Sequence, residues 1–128
     1  MIEINNLTNF AVDKKFLTGV AKKVLKGENR ERENISIAFV SSDEIKKLNQ
    51  KYRKKNKSTD VLSFGRTLDF KSDIAEIVIC PEVVKKNNEE LAKILIHGIL
   101  HILGYEHEKS ANEAKEMEKK QEKYLSII

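Results

Sequence analysis

The feature that most constrains this sequence is a run from Glu89 to Leu103 that is apolar around most of a helix. Its apolar residues are Leu91, Ile94, Leu95, Ile99, Leu100, Ile102 and Leu103. A helix that is apolar on nearly every side needs other elements to cover it on those sides. Its uninterrupted apolar stretches are far shorter than the roughly 20 residues that cross a bilayer. The run therefore predicts a helix, ended by Gly104, that is buried at the centre of a small soluble domain.

The first part of the chain alternates strand and helix patterns. Isoleucines at positions 2 and 4 alternate with polar residues, and residues 35–40 alternate in the same way, so both segments predict strands. Between them, apolar residues recur at helical spacing over residues 14–26. Asp13 is the predicted N-cap of this helix, and Gly27 is predicted to adopt the left-handed conformation that closes it.

The second predicted helix carries a concentration of positive charge. It begins at Ser42 or Asp43 and places Ile45, Leu48 and Tyr52 on one face, which we expect in the core. Seven basic residues and no acidic residue occur from position 46 to 57: Lys46, Lys47, Lys51, Arg53, Lys54, Lys55 and Lys57. The whole chain is only mildly basic, with 24 lysines and arginines against 20 acidic residues. The segment either binds the phosphates of a nucleic acid or is an ordinary solvated helix face.

Two further strands and a last helix complete the predicted fold. Residues 61–64 and 74–80 predict strands joined by a hairpin connection from Gly65 to Asp73, and the last helix begins near Ser110 or Asn112. The element order is therefore β-α-β-α-β-β-α-α. We expect an α+β domain in which the buried central helix packs against a mixed sheet of about four strands.

Size and composition fit a single domain that spans residues 1–128. A hydrophobic fraction of 40% and a charged fraction of 34% provide a core under a highly charged surface. The single cysteine, Cys80, cannot form an internal disulfide, and we interpret it as a small buried hydrophobic residue. The N-terminus has neither the basic start nor the apolar run of a secretory signal. These features predict a cytoplasmic protein.

All three histidines lie within eleven residues, from His97 to His107. His97 and His101 are four residues apart, so on a helix their rings lie one turn apart on the same face. Gly104 can adopt a left-handed conformation that turns the chain back over the helix end, which would bring His107 towards the other two rings. The cluster therefore predicts a three-histidine metal site.

Three imidazole ligands suit zinc, or another borderline transition metal such as nickel. A shell of three protein ligands leaves a coordination position for water or substrate, as in catalytic zinc sites, whereas structural sites ordinarily have four. Glu106 or Glu108 could supply a fourth ligand. The alternative without a metal is a pair of core histidines bonded to backbone carbonyls together with one surface histidine.

The spacing H-x3-H-x2-G-x2-H equals that of the metzincin peptidases. In those enzymes a glutamate directly follows the first histidine and acts as general base on the metal-bound water. Here that position is Gly98. The ligand spacing is kept but the peptidase base is absent, so peptide hydrolysis is a minor alternative that needs Glu106 or Glu108 as its base.

The sequence around the histidines resembles the signature of the YbeY family of bacterial metal-dependent endoribonucleases. Residues 97–107, HGILHILGYEH, match that signature, with Glu106 where the family more often has aspartate. Residues 49–64 resemble the family's arginine-containing segment, and residues 77–82 resemble the strand that follows it. Together with the element order, the resemblance covers nearly the whole chain.

The resemblance implies cleavage of single-stranded RNA, with precursors of ribosomal RNA as substrates and the ribosomal subunit as a partner. It implies that His97, His101 and His107 bind the metal and are catalytic. It also implies that Arg53, at the position of the family's arginine, stabilises negative charge on the phosphate. Neither a membrane partner nor a small-molecule cofactor is expected.

RNA contacts are expected on the basic segment and beside the histidines. Lys51, Arg53, Lys54 and Lys55 would follow the phosphate backbone, and Tyr105 would stack on an unpaired base. Two other functions stay open at this point. One is a ribosome-associated RNA-binding factor with a structural metal, and the other is a zinc hydrolase that acts on another class of substrate.

Overall fold

A computed structural model describes residues 1–65, 74–105 and 111–128 of the chain. Within these ranges, four strands and five helices follow in this order: β1 (Ile2–Asn6), α1 (Lys14–Gly27), β2 (Asn34–Phe39), α2 (Ser42–Arg53), β3 (Val61–Phe64), β4 (Ile74–Ile79), α3 (Pro81–Lys86), α4 (Leu91–Ile102) and α5 (Ala111–Ser126). The predicted hairpin connection runs from Gly65 to Asp73, and its residues 66–73 lie outside the described ranges. Among the helices in the described ranges, none is long and apolar enough to span a membrane.

The strands form one mixed sheet in the order β1-β2-β4-β3. Strands β1, β2 and β4 run parallel, and the edge strand β3 pairs antiparallel with β4. Ile37 of β2 is in register with Ile4 of β1 and Ile77 of β4, so these side chains share one face of the sheet. The predicted α+β architecture with a mixed, four-stranded sheet is confirmed.

The alternation of side chains along the strands divides the helices between the two faces of the sheet. On one face, Ile37 and Ile77 pack in the main core with buried residues of α1, α4 and α5. On the other face, Val78 and Cys80 pack with Ile45 of α2 in a smaller core. The helix that carries the histidines and the basic helix therefore lie on opposite faces of one sheet.

Helix α4 occupies the predicted central position. It contacts α1 and α5 as well as strands β3 and β4. Leu95, Ile96, Ile99 and Leu100, which point in different directions around its axis, are fully buried. The apolar circumference of this helix is thus explained by cover from the sheet on one side and from helices on the others.

Helix α3 is not predicted by the sequence pattern, which indicates only that the preceding strand ends near Pro81. Pro81 occupies the first turn of α3, where the fixed φ of proline suits a helix and its missing N–H leaves no bond unmade. The helix has six residues, which are too few to show a helical period. The observed order therefore contains one helix more than the predicted order.

Helix α1 closely matches its predicted bounds, but the role predicted for Gly27 is wrong. Asp13 caps the helix as predicted, and its side chain accepts the N–H of Phe16 at 3.0 Å. The left-handed residue at the other end is Asn29, with a φ of 58°. Gly27 lies in the last turn of the helix, where a β-carbon would be 2.5 Å from the ring of Tyr124. Glycine is therefore needed here for close packing against α5 rather than for backbone conformation.

The start of α2 corrects the cap predicted for that helix. The N-cap is Ser41, whose hydroxyl accepts the N–H of Glu44 at 3.2 Å, rather than Ser42 or Asp43. Serine and aspartate are both favoured caps, so three adjacent residues satisfy the pattern and only the backbone geometry selects one. Asp43 instead lies in the first turn, where its negative charge is favourable near the helix N-terminus.

Candidate metal centre

The end of α4 positions the two histidines that the structure describes. Gly104 has a φ of 106°, which is the left-handed conformation predicted for it. The N–H of Gly104 donates to the carbonyl of His101 at 3.0 Å, and the N–H of Tyr105 donates to the carbonyl of Leu100 at 3.1 Å. This pair of bonds is a Schellman motif, which ends a helix and turns the chain away from its axis. The chain therefore leaves α4 directly after the turn that carries His101.

His97 and His101 face each other across one turn of α4. Their Nε2 atoms are 3.1 Å apart. Their ring centroids are 4.6 Å apart, with an angle of 74° between the ring planes. Both residues are half-buried, so the pair is held by its surroundings and is still reachable from solvent. Two ring nitrogens at this distance need a hydrogen atom or a cation between them, because facing lone pairs repel each other.

The other nitrogen of His97 contacts Gln121 of α5. The Nδ1 atom of His97 lies 2.9 Å from Oε1 of Gln121. Metal-bound histidines ordinarily donate their second N–H to such an oxygen acceptor. Sequence reasoning did not identify Gln121. The signal that marks it is a polar residue on the apolar stripe of α5, between the buried Met117 and Tyr124.

The geometry of the histidine pair fits a borderline divalent cation. A tetrahedral zinc ion with Zn–N distances of about 2.0–2.1 Å holds two ligand nitrogens about 3.3–3.4 Å apart. The Nε2 atoms of His97 and His101 are already 3.1 Å apart, so only a small adjustment is needed. The pair is therefore suited to two of the three ligand positions that the sequence predicts.

The third predicted ligand, His107, lies outside the described residues, as do Glu106 and Glu108. Among the residues that the structure describes, no three histidine, cysteine or carboxylate side chains form a group that could hold a metal ion. The three-histidine site therefore stays a prediction, and the structure brings two of its members together.

Gly98, where the metzincin peptidases have their catalytic glutamate, lies against the sheet. A β-carbon at this position would be 3.2 Å from Ile77 and 3.3 Å from the hydroxyl oxygen of Ser63. Ser63 also donates a hydrogen bond to the carbonyl of Gly98 at 3.3 Å. Both contacts are tighter than ordinary van der Waals contact, so a side chain at position 98 would require Ile77 or Ser63 to move by a few tenths of an ångström.

Arg53 is the last residue of α2 and lies on the opposite face of the sheet from the histidines. Its side chain is exposed and makes no hydrogen bond or ion pair within the described part of the chain. The adjacent Tyr52 is 49% exposed, so its predicted place in the core is wrong. Its ring packs against Phe64 of the edge strand β3, with 5.1 Å between centroids. Arg53 therefore lies near the β3 edge of the sheet, on the face opposite to α4. It does not contact His97.

All seven basic side chains of the segment are exposed, whereas Asn49 among them is buried. Lys51, Lys54 and Lys55, which are predicted to contact RNA, all face solvent. Lys54 is the left-handed residue that ends α2, with a φ of 57°. The basic side chains of the segment thus face solvent, and their RNA contacts stay predictions.

A second group of polar side chains, the Glu28 cluster, lies beside the end of α4 and comprises Glu28, Tyr105, Tyr124 and Lys120. The carboxylate of Glu28 accepts hydrogen bonds from the hydroxyls of Tyr105, at 2.6 Å, and Tyr124. It also accepts one from the ammonium group of Lys120, at 3.2 Å. The ring of Tyr105 packs against the main core. Stacking of Tyr105 on an RNA base stays a prediction, and its hydroxyl is already engaged.

The contacts within the Glu28 cluster shift the pKa values of its acidic groups. Burial by itself would raise the pKa of Glu28, but the hydrogen bonds from Tyr105 and Tyr124 and the charge of Lys120 outweigh it, so the pKa lies below its usual value. The hydrogen bond to Glu28 raises the pKa of Tyr105 to about 12. Burial, followed by the hydrogen bond to Glu28, also raises the pKa of Tyr124. At neutral pH Glu28 is therefore a carboxylate, and the hydroxyls of Tyr105 and Tyr124 are neutral.

Comparison with known proteins adds the family to this geometry. A family profile described as "Endoribonuclease YbeY" matches residues 3–128 of the chain. The chain belongs to the endoribonuclease YbeY family. The matched range includes Arg53 and the whole histidine stretch, so the resemblance seen in the sequence is confirmed at the level of the family.

Relatives from the family are similar over most of the chain. A protein from Bdellovibrio bacteriovorus named endoribonuclease YbeY is 44% identical over 104 residues, which cover 75% of this chain and 67% of that protein. A protein of the same name from Sulfurihydrogenibium is 36% identical over 128 residues, which cover 91% of this chain and 84% of that protein. The solution structure of a Thermotoga maritima protein has a TM-score of 0.64 and 34% identity, and the match covers 98% of this chain and 87% of that one. Sequence and fold thus agree on the family.

Proposed function

We propose that this protein is a metal-dependent endoribonuclease that cuts single-stranded RNA in the cytoplasm during the maturation of ribosomal RNA. Family membership supports the reaction class, since relatives at 36% and 44% identity carry the name endoribonuclease YbeY. The observation that carries the metal dependence is the 3.1 Å approach of the Nε2 atoms of His97 and His101 on one face of α4. A buried helix is a rigid support for such a pair, as a catalytic site requires.

His97, His101 and His107 are the proposed ligands of one zinc ion, or of nickel in its place. The ion would supply a Lewis acid, which could either polarise a phosphoryl oxygen or lower the pKa of water to about 7. The part played by the chain is to aim two ring nitrogens at one point from the last turns of α4. The left-handed Gly104 ends α4 and is proposed to let the chain return so that His107 can serve as the third ligand.

Arg53 is proposed to bind the phosphate at the cleavage site and to stabilise the negative charge that develops on its oxygens. Lys51, Lys54 and Lys55 are proposed to neutralise neighbouring phosphates, a contact that is independent of base sequence and sensitive to salt. Tyr105 is proposed to stack on an unpaired base, which would favour single strands. Because the basic helix and the histidines lie on opposite faces of the sheet, an RNA strand that reaches both would cross the sheet edge at β3.

A structural role for the metal is the competing proposal. The contact between His97 and Gln121 joins α4 to α5, so a metal ion at the histidines would also strengthen the attachment of the last helix. A structural metal predicts that His101→Ala unfolds the protein. A catalytic metal predicts that this variant keeps its fold and loses cleavage. In that case the protein would be a ribosome-associated RNA-binding factor whose nuclease activity is weak or absent.

The deciding experiment compares single-stranded and duplex RNA of one sequence as substrates for the zinc-loaded protein. We expect the single strand to be cut and the His101→Ala variant to be slower by about 10³-fold or more, since a catalytic metal contributes several kcal/mol to transition-state stabilisation. Circular dichroism checks that the variant is folded, and its purification in parallel controls for contaminating nuclease. Equal cleavage by the two preparations would refute the proposal. Turnover of peptides but not of RNA would indicate a hydrolase of another class.

A further inference from the structure

Gln121 is a polar residue on the buried face of α5. Met117 and Tyr124, four residues before it and three residues after it, are 2% and 1% exposed and belong to the main core. This spacing places all three side chains on one face of the helix. Surface helices ordinarily have apolar residues on such a face, so a polar side chain there needs a partner.

The partner of Gln121 is the ring of His97, which lies 24 residues earlier in the chain. The Oε1 atom of Gln121 is 2.9 Å from Nδ1 of His97. An amide oxygen only accepts hydrogen bonds, so the ring hydrogen of neutral His97 lies on Nδ1. Its lone pair is then on Nε2, the atom that points at His101. The contact therefore presents to His101 the form of His97 that can bind a metal.

The opposite tautomer would have the opposite effect. If the side-chain amide of Gln121 were turned over, its NH₂ group would donate to Nδ1 of His97, and the ring hydrogen would move to Nε2. That hydrogen would occupy the position of the metal. The acceptor at position 121 thus determines which nitrogen of His97 is available, and it also limits rotation of the ring.

We propose that Gln121 is a positioning residue that fixes the tautomer and orientation of His97 and thereby sets the metal affinity of the site. The proposal rests on the metal-binding function proposed above for the histidines. Gln121 acts through His97 and does not itself touch the metal or the RNA. Oxygen acceptors in this position behind a metal-bound histidine typically strengthen metal binding by about 10–100-fold.

Two variants of similar size separate hydrogen bonding from packing. Gln121→Met keeps the length of the side chain and removes the acceptor. Gln121→Glu keeps an acceptor and cannot donate. We expect the zinc affinity, measured by competition with a chelating dye, to fall about 10–100-fold in the methionine variant and to stay within a few-fold of wild type in the glutamate variant.

The matched control is Lys120→Met, on the same helix. Lys120 donates to Glu28 at 3.2 Å, so this variant also removes a hydrogen bond between α5 and the rest of the protein. That hydrogen bond involves neither His97 nor Gln121. Its zinc affinity should equal that of the wild type. A similar loss of affinity in Lys120→Met and Gln121→Met would mean that Gln121 acts only by holding α5 in place, and would overturn the proposal.

A second measurement does not depend on the metal. Long-range ¹H–¹⁵N correlation spectra of the metal-free wild type at about pH 8.5, where histidines are ordinarily neutral, identify the protonated nitrogen of His97. We expect hydrogen on Nδ1 in the wild type and in Gln121→Glu, and a shift of the population towards Nε2 in Gln121→Met.

Two results would overturn this inference and leave the proposed function intact. They are unchanged zinc affinity in Gln121→Met, and hydrogen on Nε2 of His97 in the wild type while that protein still binds zinc and cuts RNA. Failure of the wild type itself to bind zinc or nickel would refute the metal centre, and with it both proposals.

Discussion

Two polar clusters lie around the end of α4, and they differ in the kind of groups that they bring together. In the Glu28 cluster, one carboxylate receives hydrogen bonds from two tyrosine hydroxyls and one ammonium group. At the histidine pair, two ring nitrogens lie 3.1 Å apart and face each other. The first arrangement balances its charge without a ligand, whereas the second is suited to a cation. A carboxylate surrounded by donors stabilises the fold, whereas imidazole nitrogens brought close together are the arrangement that metal sites use.

Both clusters depend on α5. Gln121 contacts His97, while Tyr124, one turn further along the helix, contacts Glu28. A displacement of α5 would therefore alter the two clusters together. Variants that alter only one cluster therefore test whether the stability of the fold and the metal affinity are separate properties.

Metal removal has the largest expected effect. Dialysis against a chelator should lower RNA cleavage by about 10³-fold or more, and added zinc should restore it. The far-ultraviolet circular dichroism spectrum should stay native, because the Glu28 cluster joins α1 to α5 without a metal. Unfolding on chelation would contradict the distinction between the two clusters, because the histidine pair would then also stabilise the fold.

A methyl group at Gly27 is expected to have the next largest effect. In Gly27→Ala the added carbon lies 2.5 Å from the ring of Tyr124, so the ring or α5 must move. We expect the free energy of unfolding to fall by about 1–3 kcal/mol in denaturant titrations. The matched control is Gly19→Ala in the same helix, where a β-carbon has no neighbour within 4 Å. That variant should gain about 0.5–1 kcal/mol, and a loss in both variants would contradict the packing argument.

Removal of one hydroxyl from the Glu28 cluster is expected to cost less. Tyr124→Phe takes away one donor while Tyr105 and Lys120 continue to bond the carboxylate, so we expect a loss of about 1 kcal/mol in the free energy of unfolding. The zinc affinity should stay at the wild-type value, in contrast to Gln121→Met. A fall in zinc affinity as large as that of Gln121→Met would show that the two clusters are coupled rather than separate.

The smallest expected effect is the pH dependence that Glu28 adds to stability. Its pKa in the folded protein lies below the ordinary value of 4.5. The stability that the carboxylate contributes is therefore fully present above that value and is lost as the pH falls through the folded pKa. The difference in unfolding free energy between metal-free wild type and Glu28→Gln should narrow as the pH is lowered below about 4.5. A difference that stays constant to about pH 3 would contradict a carboxylate stabilised by its hydrogen bonds.

Much of the fold follows from residues that are close together in the sequence. The alternation in β2 and the helical spacing in α1 and α4 predict these elements nearly to their observed ends. The cap at Asp13 was also predicted, because a cap depends only on residues within one turn. The pattern failed where it was too short, as in the six residues of α3, or degenerate, as at Ser41 and its neighbours.

The placement of the helices on the two faces of the sheet was not predicted. The pattern of α2 shows that one of its faces is apolar, but it does not show which face of the sheet that helix covers. The structure places α2 opposite to α4, so Arg53 and His97 lie on different faces. This separation depends on strand order and on the path of the connections, which are properties of the whole chain.

The candidate site shows the same division. The sequence by itself determined that His97 and His101 share one face of a helix and that Gly104 ends it, because backbone geometry relates residues three or four positions apart. Only the tertiary structure decided that Gln121 supports His97 from 24 residues away, and that Tyr124 bonds to Glu28 across 96 residues and requires a glycine at position 27. These contacts depend on how α5 docks against α1 and α4. The docking results from the packing of many side chains together, and no local pattern records it.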